Sequence, residues 1–209
     1  MTEIILARHG ETEWNVGVRY RGRIDVNLNE LGVKQGKLLG VHLSRLKIAA
    51  IYSSPLNRAL DTGNILARYQ HVDVQVTDGL VDFDYGEWQG LSDLAVRKLY
   101  PALHREWLAS PHLVTMPGGE SLTDVRERAV GVVKDVVWRH SGSVALVSHR
   151  VVNKVLICSL LGLDNSRFWD IRMDVGAITT FEYVKGRFIL TKHNDSSYLG
   201  ATRNPLSDF

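Results

Sequence analysis

Three short polar clusters in this sequence could do chemistry together. Arg8-His9-Gly10 follows the apolar run Ile4-Ile5-Leu6-Ala7. Ser53-Ser54, with Arg58 just beyond, follows Ile48 to Tyr52. Ser148-His149-Arg150 closes the run that begins at Ser143. A histidine at a strand end is, taken alone, more often a hydrogen-bonded structural group. Arg58 changes that reading, because a cation in the first turn of a helix opposes the helix dipole unless an anion compensates it. Two arginines, Arg8 and Arg58, and two histidines, His9 and His149, converging in one crevice form an anion site. Phosphate is its natural guest. Gly10 would let that guest approach the backbone closely. Surrounding positive charge disfavours an imidazolium at His9. A neutral imidazole can attack phosphorus, while guanidinium forks bind the equatorial oxygens as charge spreads over them. A leaving alkoxide also needs a proton. The stretch from Leu80 to Trp88 offers three carboxyls, Asp82, Asp84 and Glu87. Apolar neighbours or a dianionic substrate could keep one of them protonated.

For these clusters to meet, the segments before them must be neighbouring strands. Ile4 to Ala7 reads as a buried strand. Residues 48–52, 72–76 and 143–148 read as three more. Ala177 to Val184 and Phe188 to Lys192 suggest a hairpin across Lys185-Gly186. Between them lie amphipathic segments. Glu30 to Leu46 carries Leu31, Leu38, Leu39, Leu43 and Leu46 on one helical face, with Asn29 as N-cap. Pro55 suits the first turn of a helix running to about Tyr69. Ser92 caps a short helix to Tyr100, and another follows Pro101. Ser121 with Asp124 resembles a capping box and opens a helix with Leu122, Val125, Ala129, Val132, Val133 and Val136 on one face. Val151 to Leu161 is apolar and helical. Residues 78–90 and 110–120 read as loops, and the tail from Asn194 carries little pattern. Alternating strands and helices predict an α/β three-layer sandwich, with a mostly parallel sheet and helices on both faces. In open sheets of this kind ligands bind beyond the carboxyl ends of the strands.

Composition bounds the rest. The chain has 209 residues, closest to one domain at about 150 residues each. Twenty-five basic and 23 acidic residues leave +2, too little for a nucleic-acid footprint or a polybasic membrane anchor. An apolar fraction of 44% and a charged fraction of 23% fit a globular protein. One cysteine, Cys158, excludes an internal disulfide framework and a four-cysteine zinc site. No apolar run reaches transmembrane length, and the first residues lack the pattern of a secretory signal. A cytoplasmic location is expected.

The polar clusters also carry a resemblance. Leu6-Ala7-Arg8-His9-Gly10-Glu11-Thr12-Glu13-Trp14-Asn15 resembles the signature of the histidine phosphatase superfamily, the phosphoglycerate-mutase-like proteins. The resemblance continues through Tyr20 to Gly32, Ile51 to Ala59, Asp84 to Gly90, Gly118 to Leu122, and Val147-Ser148-His149, in the family's order. It implies that His9 is the phosphorylated nucleophile. It implies that Arg8, Arg58 and Asn15 bind the phosphoryl group and that His149 stabilises the transferring oxygens. Arg21 and Gly22 match the family's substrate loop. The position of the family's acid, usually a glutamate, falls on Asp82, one bond shorter. Either the loop moves inward or Asp84 or Glu87 serves instead. Many relatives have glycine after the second histidine. Here Arg150 follows, as an added substrate contact or a solvated arginine.

Mutases of the family it resembles carry extra segments over the site, so by that resemblance the short interval from Gly90 to Gly118 favours a phosphatase over a phosphoglycerate mutase. Ser110 to Val114, and Tyr198-Leu199-Gly200, resemble metal-independent phosphoserine phosphatases, although those carry histidine where Tyr85 stands. The reading is therefore a phosphomonoesterase acting on a small phosphorylated metabolite. The alternatives are a mutase and a non-catalytic phosphate-binding module. No metal, other cofactor, nucleic acid or membrane is expected. An exposed edge strand could pair two subunits into a homodimer. Arg19 and Arg23 either steer anions or are solvated. Trp88 and Trp107 either line the pocket or only pack. Cys158 reads as a core thiol.

Overall fold

The structure is a computed structural model that describes residues 1–17 and 19–203. Its centre is one six-stranded sheet: β1 (Thr2–Arg8), β2 (Ile48–Ser53), β3 (Val74–Val76), β4 (Gly142–Ser148), β5 (Ile178–Val184) and β6 (Arg187–Asp195). The strand order is β3-β2-β4-β1-β5-β6. The β1–β4, β2–β4 and β2–β3 pairs are parallel, whereas β5 runs antiparallel to both β1 and β6. The expected α/β sandwich is therefore present, with one reversed strand. Alternation along β1 sends Ile4 and Leu6 into one core, and Ile5 and Ala7 into the other. Burial on both faces explains why the strand reads as an unbroken apolar run.

Helices α2 (Glu30–Leu43) and α3 (Asn57–Gln70) cover one face through Leu39, Leu43, Ala59 and Leu66. Helices α6 (Leu122–Arg139) and α7 (Arg150–Leu160) cover the other through Leu122, Val125, Val152 and Val155. A short α1 (Glu13–Val16) follows the first cluster, and α4 (Asp93–Leu99) and α5 (Pro101–Ala109) lie in the long connection before α6. Asn29 caps α2 by accepting from Gly32 N–H at 2.8 Å. Ser121 and Asp124 form the capping box of α6. The Lys185-Gly186 turn has φ values of 47° and 81°, the left-handed pair that a tight hairpin needs.

Four boundaries differ from expectation. Helix α3 begins at Asn57, so Pro55 precedes it. Asp25 Oδ1 accepts from Asn57 N–H at 2.8 Å, and this distant carboxylate takes over the capping. Helix α2 stops at Leu43, where Ser44 Oγ turns back to donate to Val41 O. β3 is shorter than its alternating pattern, because only Val74 to Val76 pairs with β2. The tail continues β6 to Asp195 and then forms a 3₁₀ segment, Ser197–Thr202, in which Leu199 is buried. Residues 204–209 lie outside the described residues.

Candidate active site

Sheet register brings the two histidines together. Arg8 pairs with Ser148 across β1 and β4, so His9 and His149 leave adjacent strands at the same height. Ser53 pairs with Val147 on the other side of β4, which sets Ser54 beside them. The imidazole centroids of His9 and His149 are 5.3 Å apart. Arg8, Arg58 and His149 are fully buried, and His9 is 1% exposed. The crevice above them is lined by His9, Asn15, Arg21, Gly22, Asp82, Tyr85 and Arg150, among others.

The hydrogen bond at the His9 ring defines its tautomer. Nδ1 lies 2.7 Å from Gly10 O. A carbonyl oxygen only accepts, so Nδ1 carries the proton and the Nε2 lone pair is available. Burial, and after it the charges of Arg58, His149, Arg21 and Arg8, hold the His9 pKa well below the ordinary value of 6.5. The His149 pKa is lowered in the same direction, first by burial and then by Arg58 and Arg21. His149 Nε2 lies 2.7 Å from Ser54 Oγ, which also accepts from Leu56 N–H. Ser54 then has its proton to give to Nε2, which leaves Nδ1–H facing Asp82 Oδ2 at 3.6 Å.

Arg58 is held by three acceptors. Nη1 donates to Ile24 O at 3.1 Å, and Nη2 donates to Gly22 O at 2.8 Å and to Asp82 Oδ2 at 2.9 Å. The anion that compensates this arginine at the α3 N-terminus is thus Asp82. Gly22 has a φ of 53°. A Cβ there would sit 2.3 Å from Gln89 Oε1 and 2.9 Å from Phe83 O, so glycine is what lets this loop fold over Arg58. Arg8 Nη1 donates to Met173 O at 2.7 Å. Asn15 Oδ1 accepts from both Thr12 N–H and Thr12 Oγ1. Its amide therefore turns the other way, and Nδ2 is buried with no hydrogen-bond partner among the described residues. Such a donor is poised for an anion.

The three loop acids separate clearly. Asp82 lines the crevice. Asp84 accepts from Gly86 N–H and faces Arg23. Glu87 is exposed and accepts from the Tyr100 hydroxyl. Arg150 is 9% exposed and lines the crevice, which decides against an outward, solvated side chain. Arg21 is half-buried at the same opening. Arg19 is exposed at the rim and donates to Gly90 O. Arg23 is taken up by Asp84 and Glu120. Trp88 and Trp107 pack in the core and are fully buried. Cys158 is buried in the same way.

Sequence reasoning missed Arg128. It donates to Gly79 O, Val81 O and Asp82 O, and pairs with Glu120. It anchors the acid loop from the polar face of α6, where no local pattern marks it. The turn that carries His9 is clamped as tightly. A Cβ at Gly10 would lie 2.5 Å from Gly32 O, and one at Gly32 would lie 2.1 Å from Glu11 O. Gln35 on α2 accepts from Glu11 N–H and donates to Thr202 O. Among the described residues, no group of three or more His, Cys, Asp or Glu side chains is arranged to hold a metal ion. Nor is any helix long and apolar enough to cross a membrane.

Known proteins share this architecture and sequence. The chain is 38% identical over 201 residues to phosphoserine phosphatase 1 of Hydrogenobacter thermophilus, covering 96% of this chain and 95% of that one. It is 34% identical to glucosyl-3-phosphoglycerate phosphatase of Mycolicibacterium vanbaalenii, over 77% of this chain and 74% of that one. The structure of YhfR from Bacillus stearothermophilus superposes with a TM-score of 0.90 at 31% identity, covering 95% of this chain and 100% of that one. A mycobacterial glucosyl-3-phosphoglycerate phosphatase solved with VO3 gives 0.87 at 29% identity, covering 93% and 99%. With residues 4–196 matching the family's model, the chain belongs to the histidine phosphatase superfamily, branch 1.

Proposed function

We propose that this protein hydrolyses phosphate monoesters of small alcohols through a phosphohistidine formed on His9. The observation that carries the reading is the His9 tautomer: its Nε2 lone pair is available beside Arg58 and His149. Substrate phosphate enters the cradle and takes Arg58 from Asp82. Nε2 of His9 attacks phosphorus in line with the ester oxygen. The N–P bond forms as the P–O bond breaks. Arg8, Arg58, the Asn15 amide and His149 Nδ1–H bind the equatorial oxygens as charge develops on them. Asp82, released from Arg58, takes up the proton carried by the incoming monoester monoanion and gives it to the leaving oxygen. Water then attacks phosphorus, Asp82 takes its proton, the N–P bond breaks to free His9, and Asp82 returns that proton to the departing phosphate as it pairs with Arg58 again. The single buried cysteine fits action in the cytosol.

The direct test is hydrolysis of para-nitrophenyl phosphate with and without chelator. Turnover that survives chelation is expected. Loss of activity restored by one divalent metal would overturn a purely side-chain mechanism.

The lowered His9 pKa fixes a pH dependence. Neutral His9 is the working form, so kcat/KM should hold through pH 6.5 and fall only below it, at the depressed value. An acid limb above 6.5 would contradict this. The same shift costs stability in acid. The unfolded histidine binds its proton near 6.5 and the folded one does not. The native state is therefore disfavoured progressively as pH falls below 6.5 towards the folded pKa.

A further inference from the structure

An aspartate has a short side chain, so its main chain largely decides where its carboxyl lies. Asp82 has little freedom beyond that, because Oδ1 accepts from Phe83 N–H and Oδ2 from Arg58 Nη2, each at 2.9 Å. The main chain leading to it is gripped in an unusual way. Carbonyls of a loop usually turn to water or to other backbone groups. Here four in succession accept from side chains. Arg128 Nη1 donates to Gly79 O at 3.1 Å and to Val81 O at 2.6 Å, and Nη2 donates to Asp82 O at 3.2 Å. Leu80 O, between them in sequence, accepts from Ser148 Oγ at 2.7 Å.

Both donors are themselves fixed. Glu120 Oε1 accepts from Arg128 Nε at 3.0 Å and Oε2 from Nη2 at 3.1 Å, a two-point grip on the guanidinium plane. The same carboxylate accepts from Asp84 N–H at 3.0 Å, so it holds the chain just past the acid as well. Ser148 is fully buried at the end of β4, one residue before His149. Gly79 lets the segment press on α6, since a Cβ there would lie 2.4 Å from Val132 Cγ2. Beyond the acid, buried Phe83 stacks on Trp107 with 5.6 Å between centroids. Neither Arg128 nor Ser148 lines the crevice, so substrate meets neither. Three carbonyls on one rigid planar donor set their spacing in a way that a single flexible ammonium cannot.

We infer that Arg128, assisted by Ser148, is a positioning residue for proton delivery, setting where the Asp82 carboxyl stands against the leaving oxygen. The inference rests on the phosphatase reading and gives its acid step a structural cause. The test compares kcat/KM for para-nitrophenyl, phenyl and benzyl phosphate, whose leaving oxygens need a proton increasingly in that order. It does so in the native enzyme, Arg128→Gln, Arg128→Lys and Ser148→Ala. A misplaced acid costs most where the leaving group is poorest, and a displacement of about 1 Å can cost about a hundredfold. Arg128→Gln should therefore lose at least about tenfold more on benzyl than on para-nitrophenyl phosphate. Arg128→Lys, which keeps a cation beside Glu120 and so protects the fold, should lose in the same graded way. Ser148→Ala, which frees one carbonyl of the four, should show a weaker gradient in the same direction. A merely structural role would lower all three esters alike. Equal losses along the series in both Arg128 variants, or no loss, would overturn the inference and leave the phosphatase reading standing. Hydrolysis of none of the three esters by the native enzyme would remove that reading and the inference with it.

Discussion

Replacing His9 with alanine is expected to lower turnover by roughly four orders of magnitude or more, the scale seen when a nucleophile is removed. Neither the second histidine nor the arginines can take its place. His149 presents Nδ1–H, a donor, and its Nε2 is occupied by Ser54. The arginines carry no lone pair to offer. The His9 side chain's Nδ1–H donates to the adjacent Gly10 carbonyl, so the fold should survive the change. Quenching the native enzyme in alkali during turnover should trap a protein species heavier by one PO3 unit, since phosphoramidates are labile in acid. The alanine variant should show none. A phosphorylated alanine variant, or one with native turnover, would place the nucleophile elsewhere.

Asp82→Asn should produce two opposite effects. Turnover of alkyl phosphates should fall by about a hundredfold or more, because a poor leaving group needs a proton donor. Para-nitrophenyl phosphate, whose leaving group is already stable, should lose far less. At the same time inorganic phosphate should bind more tightly. In the free protein Asp82 Oδ2 sits 2.9 Å from Arg58 Nη2 and 3.6 Å from His149 Nδ1. It occupies the Arg58 donor that a phosphate oxygen would use. Removing this internal competitor should gain about tenfold in phosphate affinity, or about 1.4 kcal/mol. Kinetics on the two ester classes, with calorimetry for phosphate, would measure both effects. Equal kinetic losses would assign the proton to another group. Unchanged phosphate affinity would mean that Asp82 does not hold the cradle closed.

Much of this site is legible in the sequence for a simple reason. A cation or imidazole at the end of an apolar strand interrupts a pattern that burial otherwise dictates. Arg8, His9 and His149 stand out in this way, and helical position marks Arg58. Local pattern does not choose among the loop acids, because Asp82, Asp84 and Glu87 share a loop without periodicity; only the family resemblance pointed to Asp82 as the acid. What separates them is long-range: Arg58 for Asp82, Arg23 for Asp84, Tyr100 for Glu87. Arg128 was silent, since a polar residue on an exposed helix face looks the same whether or not a distant loop closes over it. The cap that Asp25 supplies to α3 was hidden likewise. The hairpin of β5 and β6 was visible in its turn, yet its docking antiparallel on β1 depends on Ala7 to Thr2 meeting Ile178 to Tyr183, which no local pattern encodes.

The contact between Gly10 and Gly32 reaches beyond the positioning of one ring. Two main-chain segments touch there with no side chain between them, and Gln35 ties both to the last described turn at Thr202. The His9 imidazole thus shares its supports with the start of α2 and with residues far along the chain. It has no private route to disorder. Loosening it means undoing the end of β1, the start of α2 and the turn at Thr202 together, so the crevice should melt with the body of the protein.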